Sequence, residues 1–299
     1  MSWFLWSTFA YFLNALSILI DKLLLKRAFP HPSVFTFYTT ILNVFAVFLF
    51  VVEPGFPATR VLWISLTAGI SFTAAIYSFY SLIKKNDISS AGPMVTSLTP
   101  IFVLLFASPI LGEVLHGAQF IAFLLILLGS VIISHDQIAG SHRTTWTTFG
   151  WALLTAFLFG LSHVLSKYVY VHQSFINGLA WRSLGSALGA IFLLMIPITR
   201  KFIAKDLKTA RPSADAAFIF VKLCGAASFI ILNYAFLTGS IAIVNALSGM
   251  QYLFIFLIAL FLTKRYPRIL HEHLVQASIT RKILSITLLA SGTALLFLS

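Results

Sequence analysis

The sequence predicts an all-α membrane protein, with ten transmembrane helices arranged as two inverted five-helix repeats, and three observations carry that expectation. Ten apolar stretches each approach the ~20 residues needed to cross ~30 Å of hydrocarbon at 1.5 Å per residue. The second half of the chain slides onto the first at an offset that rises only where a loop lengthens. Lys and Arg fall almost entirely on one set of alternate loops, the pattern that orients membrane helices.

Composition sets the class before any motif does. Of 299 residues, 59% are hydrophobic and 9% charged, and the mean hydropathy is +0.97. Soluble domains carry roughly 25% charged residues. The formal net charge of +12 would suggest nucleic acid in a soluble protein. Here the basic residues lie in short loops between apolar spans, so they are expected to set membrane orientation, and no nucleic-acid partner is expected. The single cysteine, Cys224, excludes an internal disulfide and a thiolate metal site. No metal and no cofactor are expected.

The first span, roughly 3–24, has no basic leader and no small-residue cleavage site, so a retained helix is expected there rather than a signal peptide. It carries Asn14 near its middle and Asp21, the one acidic residue within a span. The second, roughly 33–52, carries Asn43. The third, roughly 61–83, carries Tyr77 and Tyr80, three apart and therefore on one helix face. The fourth, roughly 88–111, contains Pro93, Pro100 and Pro109. Each proline removes a backbone donor and frees a carbonyl, which lipid cannot satisfy. An irregular helix beside a binding site is expected there, with Thr96 and Ser97 next to the break.

A fifth span follows at roughly 117–135. The sixth, roughly 147–169, carries His163, and the seventh, roughly 174–197, carries Arg182. Gly185 and Gly189, four apart on the seventh span, form a small-residue face expected to join either the two repeats or two protomers. The eighth, roughly 216–238, carries Asn233 and Lys222, the latter expected at the interface. The ninth, roughly 240–262, carries Asn245 and Gln251, and the tenth covers roughly 281–298. Trp3, Trp6, Trp63, Trp146, Trp151 and Trp181 mostly fall near span ends, as interfacial anchors do.

An offset of 145 places Leu16-Ser17 on Leu161-Ser162, an offset of 153 places Ile88 on Ile241, and an offset of 163 places Gly129-Ser130 on Gly292-Thr293. The expected repeats are residues 1–138 and 145–299. Five is odd, so the halves would cross in opposite directions. Sixteen Lys and Arg lie on the loops after spans one, three, five, seven and nine, against Arg60 and Lys167 on the opposite set. That puts the five basic loops in the cytoplasm and both termini outside it.

The run Ser97-Leu98-Thr99-Pro100-Ile101-Phe102, the Leu111-Gly112-Glu113 ending of that span and Leu127-Leu128-Gly129-Ser130-Val131 in the next resemble the drug/metabolite transporter superfamily, and within it the ten-helix EamA-type proteins. The second repeat departs from the pattern, with Leu253 at the proline position and Arg265-Tyr266 at the gly-glu ending. Members of this type usually keep both termini in the cytoplasm, opposite to the charge count. The resemblance implies a central cavity bounded by spans one, three, four, six, eight and nine, alternating access, and no chemical step, so an enzyme is not expected.

The polar residues at membrane depth expected to bind substrate are Asn14, Tyr77, Tyr80, Thr96, His163, Arg182, Asn233, Asn245 and Gln251. Two readings of Arg182 stand: its stem lies in lipid with the head at an interface, or its fork holds a carboxylate or phosphate. The amides either join helices or line the cavity. Glu113 is expected as a cap or salt bridge at a span end. The adjacent His271-Glu272-His273 has poor metal-ligand spacing and reads as a solvated loop.

The expected function is export or facilitated movement of a small neutral or anionic metabolite, an amino acid above all, across a cell (inner) membrane. The partners would be that small-molecule substrate, the lipid bilayer and a second protomer in a homodimer. A proton-coupled multidrug or cation exporter is the alternative, disfavoured because Asn14 cannot ionise. A membrane-embedded enzyme would need partners for Cys224 or His163 that the sequence does not supply, and a lipid-handling protein is the third reading.

Overall fold

The computed structural model describes residues 2–27, 31–85, 88–139, 146–206, 212–251, 253–255, 257–258 and 279–298. Their secondary structure is helical throughout. The helices are α1 (Ser2–Arg27), α2 (Pro32–Val52), α3 (Thr59–Lys85), α4 (Ile88–Leu111), α5 (Gly117–Ala139), α6 (Trp146–His172), α7 (Phe175–Met195), α8 (Pro212–Thr238), α9 (opening with Ile241–Ala246) and α10 (Ile279–Leu298). Among the described residues, seven helices are long and apolar enough to cross a membrane. The regions of α5, α9 and α10 contain the shorter apolar helices Gly117–Ile132, Ile241–Ile255 and Ile286–Leu296. The expected His271-Glu272-His273 loop and Arg265-Tyr266 lie outside the described residues.

The helices pair in a definite pattern. α1 lies along α8, α3 along α6 and α7, α4 along α6 and α5, and α5 along α10. The opening of α9 packs on α4. Large apolar side chains such as Phe45, Phe48, Leu105, Phe192 and Phe220 point outward, which in a bilayer exposes them to lipid tails at no hydrophobic cost. The crossing of α3 and α7 has almost no side chain in it. A Cβ on Gly69 would meet the Arg182 carbonyl, and one on Gly185 would meet the Leu66 backbone. The small-residue face of α7 is thus consumed inside the chain, joining α7 to α3.

The expectation of an irregular fourth span is reversed, and a break falls elsewhere. α4 is a continuous helix through Pro93, Pro100 and Pro109, whereas α9, which has no proline, is interrupted after Ala246. At the interruption the ladder tightens to three-residue spacing: Ser248 N–H donates to Asn245, Met250 to Leu247 and Gln251 to Ser248. This 3₁₀ geometry strands the carbonyls of Val244 and Ala246, whose usual donors have turned elsewhere. Tyr11 Oη donates to the first at 2.8 Å, and Ser130 Oγ lies 3.2 Å from the second, its one hydrogen shared with Ile126 O of its own helix at 2.9 Å. Gly249 sits against Ser130, where a Cβ would collide with the serine side chain. Hydroxyls from α1 and α5 therefore satisfy the break, as an apolar environment requires.

The proline of α4 joins the same arrangement. Pro100 has no N–H for the Thr96 carbonyl four residues earlier, and Ser248 Oγ, at the α9 break, donates to that carbonyl at 3.4 Å. A double-mutant cycle checks the link. Pro100→Ala supplies the missing N–H, so the further cost of Ser248→Ala is expected to shrink, with a coupling of ~0.6 kcal/mol typical of interhelical bonds. Additive thermal shifts would remove the link.

The connection after α7, expected as a loop, contains the helix Pro197–Asp206. Pro197 takes the first helical position, which costs no hydrogen bond. Ile203 is buried while Arg200, Lys201 and Lys205 lie on the same short helix. Phe202 stacks on His31, ring centroids 3.7 Å apart, just before α2. Burial and then Lys84 hold the His31 imidazole below its ordinary value of 6.5, against Asp206, with Lys205 adding to the lowering. The folded chain prefers the neutral ring. Stability from this contact is present above the unfolded value near 6.5 and is lost as pH falls below it. A small drop in melting temperature between pH 7.5 and 5.5 is expected, and His31→Phe should reduce it; an identical drop in the variant would clear His31 of the effect.

Candidate functional site

The polar side chains expected at membrane depth fall into three groups along the bundle. The first surrounds the α9 break. Asn14 Nδ2 donates to Gln251 Oε1 at 2.7 Å, linking α1 to the far side of the break. Asn245, on the near side, donates from Nδ2 to its own helix at Ile241 O (2.9 Å) and holds His163 Nδ1 at 2.8 Å through Oδ1. Because Oδ1 can only accept, His163 presents Nδ1–H in this pair. Phe236 packs on the imidazole at 5.0 Å. Thr96 donates to Gly92 O at 3.0 Å within α4. Asn14, Thr96, His163, Asn245 and Gln251 thus converge where α1, α4, α6 and α9 meet.

The second group is centred on Arg182, which is 0% exposed. It does not snorkel. Its guanidinium lies between two rings, with Cζ 4.3 Å from the Phe72 centroid and 4.2 Å from that of Phe229. Nε donates to Ser166 Oγ at 3.2 Å and Nη2 to Ser162 Oγ at 3.4 Å. Those hydroxyls spend their own hydrogens on the carbonyls of Ser162 and Ala68, so their lone pairs face the arginine. Nη1 is buried and has no hydrogen-bond partner among the described residues. Among the described residues no carboxylate pairs with Arg182. Asn233 neighbours this group through Phe229, to whose carbonyl its Nδ2 donates at 2.8 Å, while its Oδ1 accepts from Tyr170 Oη at 2.9 Å.

The third group corrects the reading of Lys222 as interfacial. Its Nζ lies 2.8 Å from both oxygens of Asp21, and the two side chains are 10% and 8% exposed. Tyr80 Oη donates to Asp21 Oδ2 at 3.0 Å. Phe35 and Phe218 flank the ammonium at 4.5 and 5.2 Å. A charge taken out of water at this depth needs a partner, and each supplies the other's. Tyr80 therefore offers its hydroxyl to an ion pair, while Tyr77, half-buried one turn earlier, makes no polar contact among the described residues. One sequence signal pointed to this pair: two residues of opposite charge, six from the end of α1 and ten from the start of α8, at similar depth from one membrane face.

A second ion pair sits at the opposite end of the bundle. Lys167, counted among loop residues by the sequence reading, lies inside α6 and bonds Glu113. The other Glu113 oxygen accepts from Ile241 N–H at 3.2 Å. Glu113 is thus both a cap and a salt bridge, the two roles expected of it.

The chain compares as follows with known proteins. No curated protein sequence matches it. One of the similar solved structures, titled "Crystal structure of protein", superposes with a TM-score of 0.66 over 99% of this chain and 96% of that one, at 18% sequence identity, a likeness of fold. Residues 1–135 of this multi-pass, all-helical membrane protein match the family described as the EamA-like transporter family.

Proposed function

We propose that the chain is a ten-span transporter of inverted-repeat architecture that moves a small carboxylate-bearing metabolite, an amino acid in the first instance, by alternating access. Arg182 carries the substrate reading. A guanidinium wholly removed from water, covered on both faces and holding an N–H edge with no acceptor and no counter-ion among the described residues fits an anion. The amides of Asn14, Asn233, Asn245 and Gln251 would hold polar groups of the substrate, and Tyr77 its apolar portion. No chemical step is needed.

The helix pairing supports the inverted repeat. Exchanging each helix for the one five places along maps the α1–α8 pair onto α6–α3, while the α3–α7 pair has no extensive counterpart between α8 and α2 among the described residues. Residues 1–138 and 145–299 would be the two halves, and the basic loops favour both termini outside the cytoplasm. A specific observation favours the alternative of a proton-coupled exporter: Asp21 is a buried carboxylate on α1. Its pairing with Lys222 weakens that alternative, because a substrate cation would have to displace the ammonium.

Counterflow of radiolabelled amino acids in liposomes holding the purified protein, with and without a pH gradient, tests both readings. Saturable counterflow without a gradient is expected. Absence of counterflow for all twenty amino acids would sink the amino-acid reading, and an absolute requirement for the gradient would favour the alternative.

A further inference from the structure

The Glu113–Lys167 pair borders a surface cavity of about 450 Å³, a volume within the range of small-molecule sites. Val114, Leu115 and Leu237 supply its apolar wall, and Thr238 lies exposed at its rim. The two charges are anchored separately. Lys167 Nζ also donates to Gly239 O at 2.7 Å, and the Glu113 oxygen not facing Lys167 accepts from Ile241 N–H and from Ser240 Oγ at 3.4 Å. Opening the direct bond would leave each charge held by its backbone contact.

A cation and an anion side by side on a cavity wall, each with its own anchor, complement a ligand that carries both signs a few ångströms apart. A ligand of one sign would gain one of these charges and face repulsion from the other. We infer that this cavity binds a zwitterionic α-amino acid with an aliphatic side chain: the carboxylate on Lys167, the ammonium on Glu113, and the side chain against Leu115 and Leu237. One ion pair within the protein is exchanged for two to the ligand, so binding separates α6 from the segment after α4. Lys167 directly follows Ser166, the partner of Arg182 Nε, so the cavity lies next along α6 from the arginine. The site rests on the transport reading for its substrate class and is a second station for it.

Equilibrium binding of tritiated L-leucine to the purified full chain tests the inference, with each variant checked for a monodisperse elution profile. Arg182→Met is expected to retain leucine binding at the cavity. In that background Lys167→Gln and Thr238→Trp should each weaken binding by about tenfold or more, a loss of about 1.4 kcal/mol. Thr238→Trp fills the cavity and leaves the ion pair intact, so its effect is independent of any damage from breaking the pair. 4-Methylpentanoate and 3-methylbutylamine, each lacking one charge, should compete poorly. The site is overturned if Arg182→Met binds no leucine, if Thr238→Trp and Lys167→Gln leave binding unchanged, or if either single-charge analogue competes as well as leucine. Wild-type counterflow with no leucine bound by Arg182→Met removes this site and leaves the transport reading. Leucine bound by Arg182→Met with no counterflow of any amino acid does the reverse.

Discussion

Arg182→Met is expected to abolish saturable counterflow while leaving the melting temperature unchanged or higher. The two halves of that result have one cause. A buried guanidinium without a counter-ion costs several kcal/mol in desolvation. Against this stand two ring contacts and two hydrogen bonds to serine hydroxyls. The unused Nη1 edge adds a further cost. Methionine fills the slot between Phe72 and Phe229 and needs no hydrogen bond. A residue whose removal stabilises the protein but stops transport is held for its ligand. Arg182→Lys should fail nearly as badly, because a point charge neither fills the slot between the rings nor pairs in bidentate fashion with a carboxylate. Thermal unfolding in detergent and counterflow in liposomes read the two quantities separately. Wild-type transport by Arg182→Met, or its collapse on purification, would make the arginine a structural element.

The Asp21–Lys222 pair should respond in the opposite way. Asp21→Asn or Lys222→Met alone leaves a buried charge uncompensated, and a loss on the order of 3–5 kcal/mol is expected. The double variant Asp21→Asn with Lys222→Met removes both charges and should recover most of that loss, since Asn can still accept the Tyr80 hydroxyl. Melting temperatures of the two single variants and the double variant give the coupling directly. Additive losses would mean that the pair contributes little beyond its separate contacts. If the double variant also keeps counterflow, the pair holds α1 to α8 and takes no part in coupling; if it folds but loses gradient-driven movement alone, the ion pair belongs to the transport cycle.

What was legible in the sequence follows from which interactions are local. Span positions could be read because crossing lipid demands an uninterrupted apolar length, and the seven helices long and apolar enough to cross, among the described residues, fall on expected spans one to four and six to eight. The prolines misled because their cost is visible locally while its relief is remote. The Thr96 carbonyl meets Ser248 from 152 positions away, and the break in α9 depends on Tyr11 and Ser130, 233 and 116 positions from their acceptors. Likewise Asp21 and Lys222 are 201 positions apart, and only their opposite charge within two spans links them in the sequence. Arg182 was ambiguous because a snorkelling arginine and a buried one can occupy the same register; the two serines that receive it lie on another helix. Of the nine residues expected to bind substrate, five meet around the α9 break and two more lie at or beside Arg182. Tyr80 serves an ion pair instead, and Tyr77 makes no polar contact among the described residues.

The glycine crossing of α3 and α7 has a mechanical consequence. Two backbones in direct contact cannot slide past one another by a residue, since the next side chain would strike the opposing peptide. A hydrogen bond at the same crossing reinforces the restraint: Thr73 Oγ1, on α3, donates to the Ser186 carbonyl of α7 at 2.8 Å. This pair of helices is therefore the least able to shift in register. The carbonyl of Arg182 is one of the atoms at the crossing, so the backbone that carries the arginine is fixed against α3, and a larger residue at Gly69 or Gly185 would have to push the two helices apart.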